Sequence, residues 1–488
     1  MLGCDSKHVP PGWENMWEDI FKNPTNDNKR RFCETFGSYF ITFSRTEDRL
    51  RLVNEATTQG LNTDISSPLQ RLYLDEGETD RVLSDVVKDA FNINIRLDES
   101  GLEKLILRVG EKFDHIPPEA KKARLLLSQF EKVDDQGDGI KSFVATVLSM
   151  IVLKRPITLI DEPEAFLHPP QAMKLGEFIG EYAIADHQTV IVTHSSDFLK
   201  GILSKRRNIA VIRIDRSKNQ NKIYLLDPAN LEKILNNPLL SSARILEAIF
   251  YKGAVIVEGD SDSVFYQRVS RTIRNSDDIH YAHAYNKQTV YKVTEPYNKL
   301  GVKFAVIVDF DVLRDKNDFR NLLEEMSVTK ENLDELIKIR EEIQKVVESI
   351  NPSQQLENIV DAISRLKDDV SRFCGTSDPA KNTSEIRKRL NKILENSSPW
   401  RKYKDEGYLA LKESQGDFLR LNEMCKQYGI FIVPYGELES WLIPYGIDKT
   451  SNKSNWIVTA LTKLPEISTD RTKPLWEFIT DIHGYLLR

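Results

Sequence analysis

An α/β architecture with mainly parallel sheets is the fold class that the sequence predicts, and three observations carry it. Short apolar runs read as buried strands: Ile157 to Ile160, TVIVTH (189–194), Ala254 to Val257 and Phe304 to Val308. Segments with apolar residues at helical spacing separate them. The runs end in polar or acidic residues, at the strand ends where α/β folds place their sites.

Taken in chain order, GSYFITF (37–43) predicts a strand from its aromatic and β-branched residues. Val82, Leu83, Val86, Val87 and Phe91 recur at helical spacing and predict a helix over 76–91. Residues 103–109 suit a strand or a helix. The apolar segment 140–153 predicts a buried helix, stopped by Pro156. A helix over 171–185 precedes the 189–194 strand. AVIRI and KIYLL, between 205 and 250, read as a strand pair, and the domain boundary is placed there. The alternation restarts with a strand at 254–257, a helix at 261–273, a strand at 304–308 and another at 429–433. Between 316 and 400 the chain is charged and helical. There Leu333, Leu336, Ile337, Ile343, Val347 and Ile350 repeat at near-heptad spacing, which suits a helical hairpin or coiled-coil arm.

Composition narrows the function classes. With 488 residues the chain has room for two to four domains, at roughly 150 residues each. Apolar residues make up 40% and charged residues 29%, as in an ordinary globular protein. No stretch approaches the ~20 apolar residues that span a bilayer. The first residues lack the basic-then-apolar order of a signal peptide, so a cytoplasmic protein is expected. Cys4, Cys33, Cys374 and Cys425 are far apart and form no CxxC, so no zinc site or disulfide framework is implied. A net charge of −6 excludes an all-basic surface but not a basic groove for nucleic acid.

Two constellations carry chemistry. In ITLIDEPEAFLHPPQ (157–171) an apolar strand ends in Asp161-Glu162. Asp161 at such a position can hold Mg²⁺ through its hydration shell, and Glu162 can polarise a water that attacks a γ-phosphate. Leu167-His168-Pro169 follows, and the next strand ends in Thr193-His194-Ser195. Upstream, Gly137, Gly139 and Ser142 stand at the start of the buried helix, where backbone N–H groups can meet a phosphate. No GxxxxGK[ST] phosphate loop occurs; GDGIKS lacks the glycine before the lysine.

The second constellation is acidic. AVIVEGDSD (254–262) is a strand ending in Glu258-Gly259, with Asp262 at the next helix start. FAVIVDFD (304–311) is a strand ending in Asp309-x-Asp311. Parallel strands ending side by side would gather these carboxylates at one sheet edge. Hard oxygen ligands at that density select Mg²⁺ or Mn²⁺. Two such ions, roughly 4 Å apart, activate a water and stabilise the leaving oxygen of a phosphodiester.

The order of signature-like loop, Asp161-Glu162, Leu167-His168-Pro169 and His194 resembles the ABC-type ATPases. The Glu258-Gly259 and Asp309-x-Asp311 pairing resembles the Toprim domain, and Asp262 within EGDSD resembles specifically the OLD (overcoming lysogenization defect) nucleases. The resemblance covers about 135–315 and 400–445. It implies a partial ABC-type ATPase domain over 1–205, entered after the phosphate loop, and a connector over 206–250. A Toprim domain over 251–488 follows, with a helical insertion at about 316–400. It further implies Glu258 as general base or metal ligand, with Asp262, Asp309 and Asp311 holding the metals and Glu439 a further ligand. A lysine offsets developing charge near the scissile phosphate, for which Lys449 and Lys453 are candidates. Nucleotide would be bound at Gly137, Gly139, Ser142, Asp161, Glu162 and His194, with ATP as the implied ligand. The expected activity is a Mg²⁺- or Mn²⁺-dependent DNA endonuclease in bacterial antiphage defence, regulated by nucleotide. It would be a dimer or tetramer, with a helicase-like or reverse-transcriptase-containing partner in some relatives. The alternative is a non-catalytic ATPase-like scaffold or nucleotide sensor.

For DNA contact the sequence offers Arg387, Lys388, Arg389 and Lys392 as a stripe, and Arg401 and Lys402 beside Trp400 and Tyr403 for stacking. The alternating acidic residues of this region equally suit a solvated helix face, and the heptad-like helix at 331–350 suits a dimer contact.

Overall fold

The computed structural model describes residues 22, 25–58, 67–75, 77–101, 103–152, 155–183, 186–217, 220–235, 244–284, 294–349, 352–373, 379–396, 400–449, 453–467 and 473–487. The chain divides into two units, Met1–Ile209 and Ala210–Arg488. No helix among the described residues is long and apolar enough to cross a membrane.

In the first unit, helix α1 (Asn26–Phe40) runs directly into strand β1 (Ile41–Ser44). The strand expected from residue 37 therefore starts at Ile41. Phe36, Tyr39 and Phe40 also recur at helical spacing, so the aromatic run serves a helix as well. A small antiparallel sheet follows, built from β2 (Ala56–Thr57), β3 (Asn94–Asp98), β4 (Lys104–Gly110) and β5 (Glu131–Lys132). The segment left open between helix and strand is thus the strand β4. Helix α2 (Glu78–Phe91) starts after Gly77, two residues inside the expected bound.

Helix α3 (Asp138–Ile151) is apolar nearly all round, which marks a helix enclosed by protein. Phe143, Val144, Ala145, Val147 and Leu148 are wholly buried, together with Leu83 and Val87 of α2. Each large side chain so buried stabilises the unit by about 1.5–3 kcal/mol. Strand β6 (Ile157–Asp161) lies between β1 and β7 (Gln188–Val192), all parallel. Helix α4 (Pro169–Tyr182) joins β6 to β7, and α5 (Ser196–Lys205) follows β7. On the sheet, Phe43, Val190 and Val192 remain about half exposed.

The second unit opens with an antiparallel hairpin, β8 (Val211–Ser217) and β9 (Gln220–Leu226). Its Arg213 is buried and donates to the carbonyls of Ile249 and Gly301, which fastens the hairpin to this unit. The main sheet is parallel, in the order β11-β10-β12-β13, with β10 (Gly253–Val257), β11 (Ile279–His283), β12 (Lys303–Val308) and β13 (Ile430–Ile432). Helix α6 (Asp260–Arg274) connects β10 to β11 on one side, and β12 then joins the other side of β10. The order reverses between β10 and β12, the position where open α/β sheets form a ligand crevice.

Helices α7 (Lys316–Glu325), α8 (Lys330–Glu348), α9 (Pro352–Phe373) and α10 (Pro379–Asn396) follow β12 in the charged helical stretch. Helix α11 (Trp400–Glu406) and helix α12 (Gln415–Gln427) lead back to the sheet. The near-heptad stripe of α8 is not a dimer contact: Leu333, Leu336, Ile337, Ile343 and Val347 are buried within this unit. The stripe packs on α12, and buried Arg340 donates to the carbonyls of Leu313 and Arg314. Ile350 lies outside the described residues. Helices α13 (Lys453–Lys463) and α14 (Pro474–Leu486) complete the unit, with Trp456, Trp476, Ile479 and Ile482 in one core with Val255 and Val257.

Candidate functional site

In the first unit the polar edge forms where β6 and β7 end. Asp161 is the last residue of β6, and Glu162 adopts φ 44°, a left-handed backbone that turns the chain sharply off the strand. The N–H of Glu162 donates to the Val192 carbonyl at 2.9 Å, so the two strand ends stay side by side. His194 Nε2 lies 3.3 Å from Glu162 Oε1. His194, expected at the nucleotide, and the expected water-polarising glutamate are therefore in contact.

Two residues of this edge escaped the sequence reading. Glu164 Oε1 accepts from Thr193 Oγ1 at 2.7 Å and from the His194 N–H at 2.9 Å, which fixes the loop that carries His194. Arg49 is wholly buried and donates to the carbonyls of Asp161 at 3.1 Å and Glu162 at 2.8 Å. Burial pulls its guanidinium below the ordinary value, while Glu164, Asp161 and Glu162 pull it back. The only sequence signal for Glu164 was its place in the DEPE string, and Arg49 had none.

Gly137 caps α3, and a Cβ on Gly139 would come within 2.8 Å of the Phe166 carbonyl. The glycine there is what lets the start of α3 lie against the turn after β6. Ser142 is wholly buried on α3, so its hydroxyl faces the core and not the surface where Gly137 lies.

In the second unit, the C-terminal ends of β10 and β12 gather the acidic residues on both sides of the switch point. The backbone N–H of Asp309 donates to Glu258 Oε1 at 3.2 Å. A Cβ on Gly259 would come 2.9 Å from Asp262 Oδ2, so the glycine makes room for that carboxylate beside the strand end. Asp311 sits in the 3₁₀ turn Phe310–Leu313. After β13 the chain returns to the same edge, because Phe310 N–H donates to the Gly436 carbonyl at 2.8 Å. Glu439 follows in a 3₁₀ turn and is buried.

Tyr266 ties these strands' residues together. Its hydroxyl accepts from Trp441 Nε1 at 3.0 Å in a buried contact. Burial raises the phenol well above its usual pKa, and the charges of Asp262, Asp309 and Glu439 add to that shift. Three of the five expected carboxylates therefore lie near enough to act on one buried hydroxyl. Among the described residues, no three His, Cys, Asp or Glu side chains converge into a ready-made cation cage. The donor set nevertheless fits a hard divalent ion. Mg²⁺ keeps several waters and takes only one or two carboxylates from a protein.

The basic residues stand as follows. Lys449 Nζ lies 3.0 Å from Glu437 Oε1 and 3.2 Å from Asp405 Oδ1. Lys404, absent from the sequence reading, lies 3.4 Å from Glu437 Oε2. Burial lowers its pKa, but Glu437, Asp311 and Asp309 outweigh it and the net shift is upward. The side chain of Lys453 lies outside the described residues. Asp260 is exposed, and Asp315 caps α7 by accepting from the N–H groups of Asn317 and Asp318.

The expected stacking platform is not one. Trp400 and Tyr403 are buried, and Tyr403 lies parallel to Phe310 at 6.4 Å. The apolar faces of α11 pack under the Asp309–Asp311 turn, which leaves no ring open to a base. Arg387 and Lys388 are exposed on α10, Arg401 pairs with Asp405 at 3.2 Å, and the side chain of Lys392 lies outside the described residues.

Comparison with known families agrees with this arrangement. Residues 44–199 match the family "AAA domain, putative AbiEii toxin, Type IV TA system", and residues 249–311 match "Overcoming lysogenization defect protein-like, TOPRIM domain". The chain thus has the layout of the OLD family, an ATPase domain followed by a Toprim domain. Among curated proteins it is similar to the Old nuclease of Escherichia phage P2, at 23% identity over 251 residues, 48% of this chain and 40% of that protein. The matched stretch is thus well under half of the relative's length. Two solved structures are also similar at 14% identity. One is an SMC ATPase from work on ATP-driven dimerization and DNA-stimulated activation, with TM-score 0.24, covering 34% of this chain and 92% of that one. The other is the SmcHead bound to the C-winged helix domain of ScpA, with TM-score 0.29, covering 39% and 57%.

Proposed function

We propose that the second unit is a divalent-metal-dependent endonuclease acting on DNA, with its centre at the carboxylate edge between β10 and β12. The observation that carries this reading is the juxtaposition of Glu258 with the Asp309-x-Asp311 turn at the switch point of a parallel sheet. Its family match and its likeness to the Old nuclease support the same chemistry.

Glu258, Asp262, Asp309, Asp311 and Glu439 would hold Mg²⁺ or Mn²⁺. Bound there, such ions supply an activated water and stabilise the leaving oxygen of a phosphodiester. The chain's own residues do the rest. Glu258 would take a proton, and its Oε1 accepts from the Asp309 N–H. Tyr266, whose oxygen accepts from Trp441, would support the carboxylates from beneath. The lysines around Glu437 supply positive charge for a phosphate. Exposed Arg387 and Lys388 are proposed as outlying phosphate contacts.

The first unit is proposed to sense nucleotide through Asp161, Glu162 and His194, with Gly137 and Gly139 presenting backbone N–H groups. Ser142, buried as it is, contributes packing in this conformation. Self-association as a dimer or tetramer and a role in bacterial antiphage defence follow from the family layout alone. The test is cleavage of supercoiled plasmid by the purified chain with Mn²⁺ or Mg²⁺. Products are expected with metal and none with chelator; an inert protein under both metals overturns the reading in favour of a nucleotide-sensing scaffold.

A further inference from the structure

We propose that the first unit binds single-stranded nucleic acid in the cleft between helix α2 and the end of the β3–β4 hairpin. The proposal is independent of the nuclease reading, and its residues belong to neither polar edge.

The cleft is a cavity of about 820 Å³ whose lining reaches from Gly77 to Asn92, the two caps of α2. At 1.5 Å per residue that is a run of about 20 Å. Helix α2 forms one wall. Asn94, Ile95 and Arg96 of β3 and the loop 111–114 after β4 form the other. The Asn94 side chain donates to the Glu111 carbonyl, which ties that loop to β3. Phe113 of the loop packs on Phe130, with ring centroids 4.8 Å apart. Both rings lie over Gly110, where a Cβ would come 2.6 Å from Phe130 and 3.3 Å from Phe113.

Four cations face this cavity. Arg81 and Lys88 stand seven residues apart on one face of α2, about 10 Å along its axis. Arg96 comes from β3 and Lys112 from the loop. Elsewhere on this chain exposed lysines pair with a carboxylate three residues away, as Lys122 does with Glu119 and Lys345 with Glu342. Asp85 offers such a partner to both Arg81 and Lys88, yet among the described residues neither makes an ion pair, and nor does Lys112. Asp80, Glu111 and Asp114 share the lining. Burial lifts Asp80 above its ordinary pKa, while the Leu97 N–H and Arg96 hold its carboxylate.

Four cations against three carboxylates leave a modest positive excess. Spread over this length, it suits a track for recurring phosphates and not a tight pocket for one. Half-buried Phe113 adds a ring beside the track, and a base of a single strand can stack on it. A duplex keeps its bases stacked on each other and has none to offer that ring, so a single strand is the better occupant.

The experiment follows the fluorescence anisotropy of a labelled oligothymidine of about 12 nucleotides, within the usual range of site sizes. The full chain is titrated in chelator, over a series of salt concentrations. Replacing both Arg81→Gln and Lys88→Gln should lower the slope of log K against log salt by about 1.4, two phosphate contacts of a single strand. Lys112→Gln should lower it by about 0.7. Phe113→Leu should weaken binding about 10-fold and leave the slope unchanged. Unlabelled oligothymidine should displace the probe better than a duplex of the same length or ATP. A wild-type slope in the Arg81/Lys88 double variant and in Lys112→Gln overturns the proposal. Equal displacement by the duplex overturns the single-strand assignment, and equal displacement by ATP overturns the track in favour of a mononucleotide site. Should the helix variant fail to fold, Lys112→Gln, in a loop outside any helix or strand, carries the test.

Discussion

The Asp309 N–H donates to Glu258 Oε1 at 3.2 Å, across the point where the sheet reverses its order. One carboxylate oxygen is thereby held by the backbone of the neighbouring strand end. Glu258→Gln keeps an acceptor for that N–H, whereas Glu258→Ala leaves it without one. The expected result is a denaturant midpoint near wild type for Glu258→Gln and a loss of about 1 kcal/mol for Glu258→Ala. Both should lose Mn²⁺-dependent cleavage, so stability and activity separate in the glutamine variant.

Gly436→Ala should be costly out of proportion to one methyl group. The φ of 101° excludes an ordinary L side chain, and the new Cβ would collide with the Lys404 carbonyl. A loss of about 2–4 kcal/mol is expected from strain and displaced backbone together, measured by urea unfolding of the full chain. Cleavage should fall in parallel, since the shift separates Glu437 and Lys404 from the Asp309-x-Asp311 turn.

Arg49→Met tests the first unit. The guanidinium is the buried donor for the carbonyls of Asp161 and Glu162, and the methionine would leave both without it. The expected cost is about 2–4 kcal/mol in unfolding of that unit, typical of breaking a buried polar network. Nucleotide protection of the chain, read as a rise in melting temperature with Mg²⁺-ATP, should be lost with it.

His483 sets an acid limit. It is buried, contacts Ser270 Oγ at 2.8 Å, and has its pKa lowered from 6.5 to about 4. Burial is the main cause, Arg274 adds to it, and Asp278 opposes it. In the unfolded chain the imidazole takes up a proton at higher pH than in the folded one. Its contribution to stability is therefore complete above about pH 6.5 and is lost as the pH falls toward 4. The urea midpoint should drop between pH 7 and pH 4.5, and His483→Gln should flatten that slope.

Much of this was legible in the sequence for a physical reason. Strands buried on both faces, as at 253–257 and 303–308, leave continuous apolar runs, and the acidic residues at their ends are what such edges carry; the strand at 188–192, expected to be buried, is an apolar run with no buried residue. The elements at 157–161, 188–192, 253–257 and 303–308 were therefore readable to within a residue or two. Less visible were contacts between distant segments. The antiparallel sheet around Lys104–Gly110 and buried Arg49 both belong to the 44–199 match, yet no motif marks them. The stripe on α8 looked like an interface because heptad spacing also fits a helix packed inside its own unit. Trp400 and Tyr403 looked like stacking residues because composition does not say which way a ring faces.

The central claim is tested most directly by the rate of plasmid cleavage in Mn²⁺ for wild type and Asp309→Ala. The carboxylate edge predicts nicked or linear product from wild type, none with chelator, and a loss of about 100-fold or more in the variant. Equal cleavage by a folded Asp309→Ala protein would place the chemistry elsewhere and contradict the account.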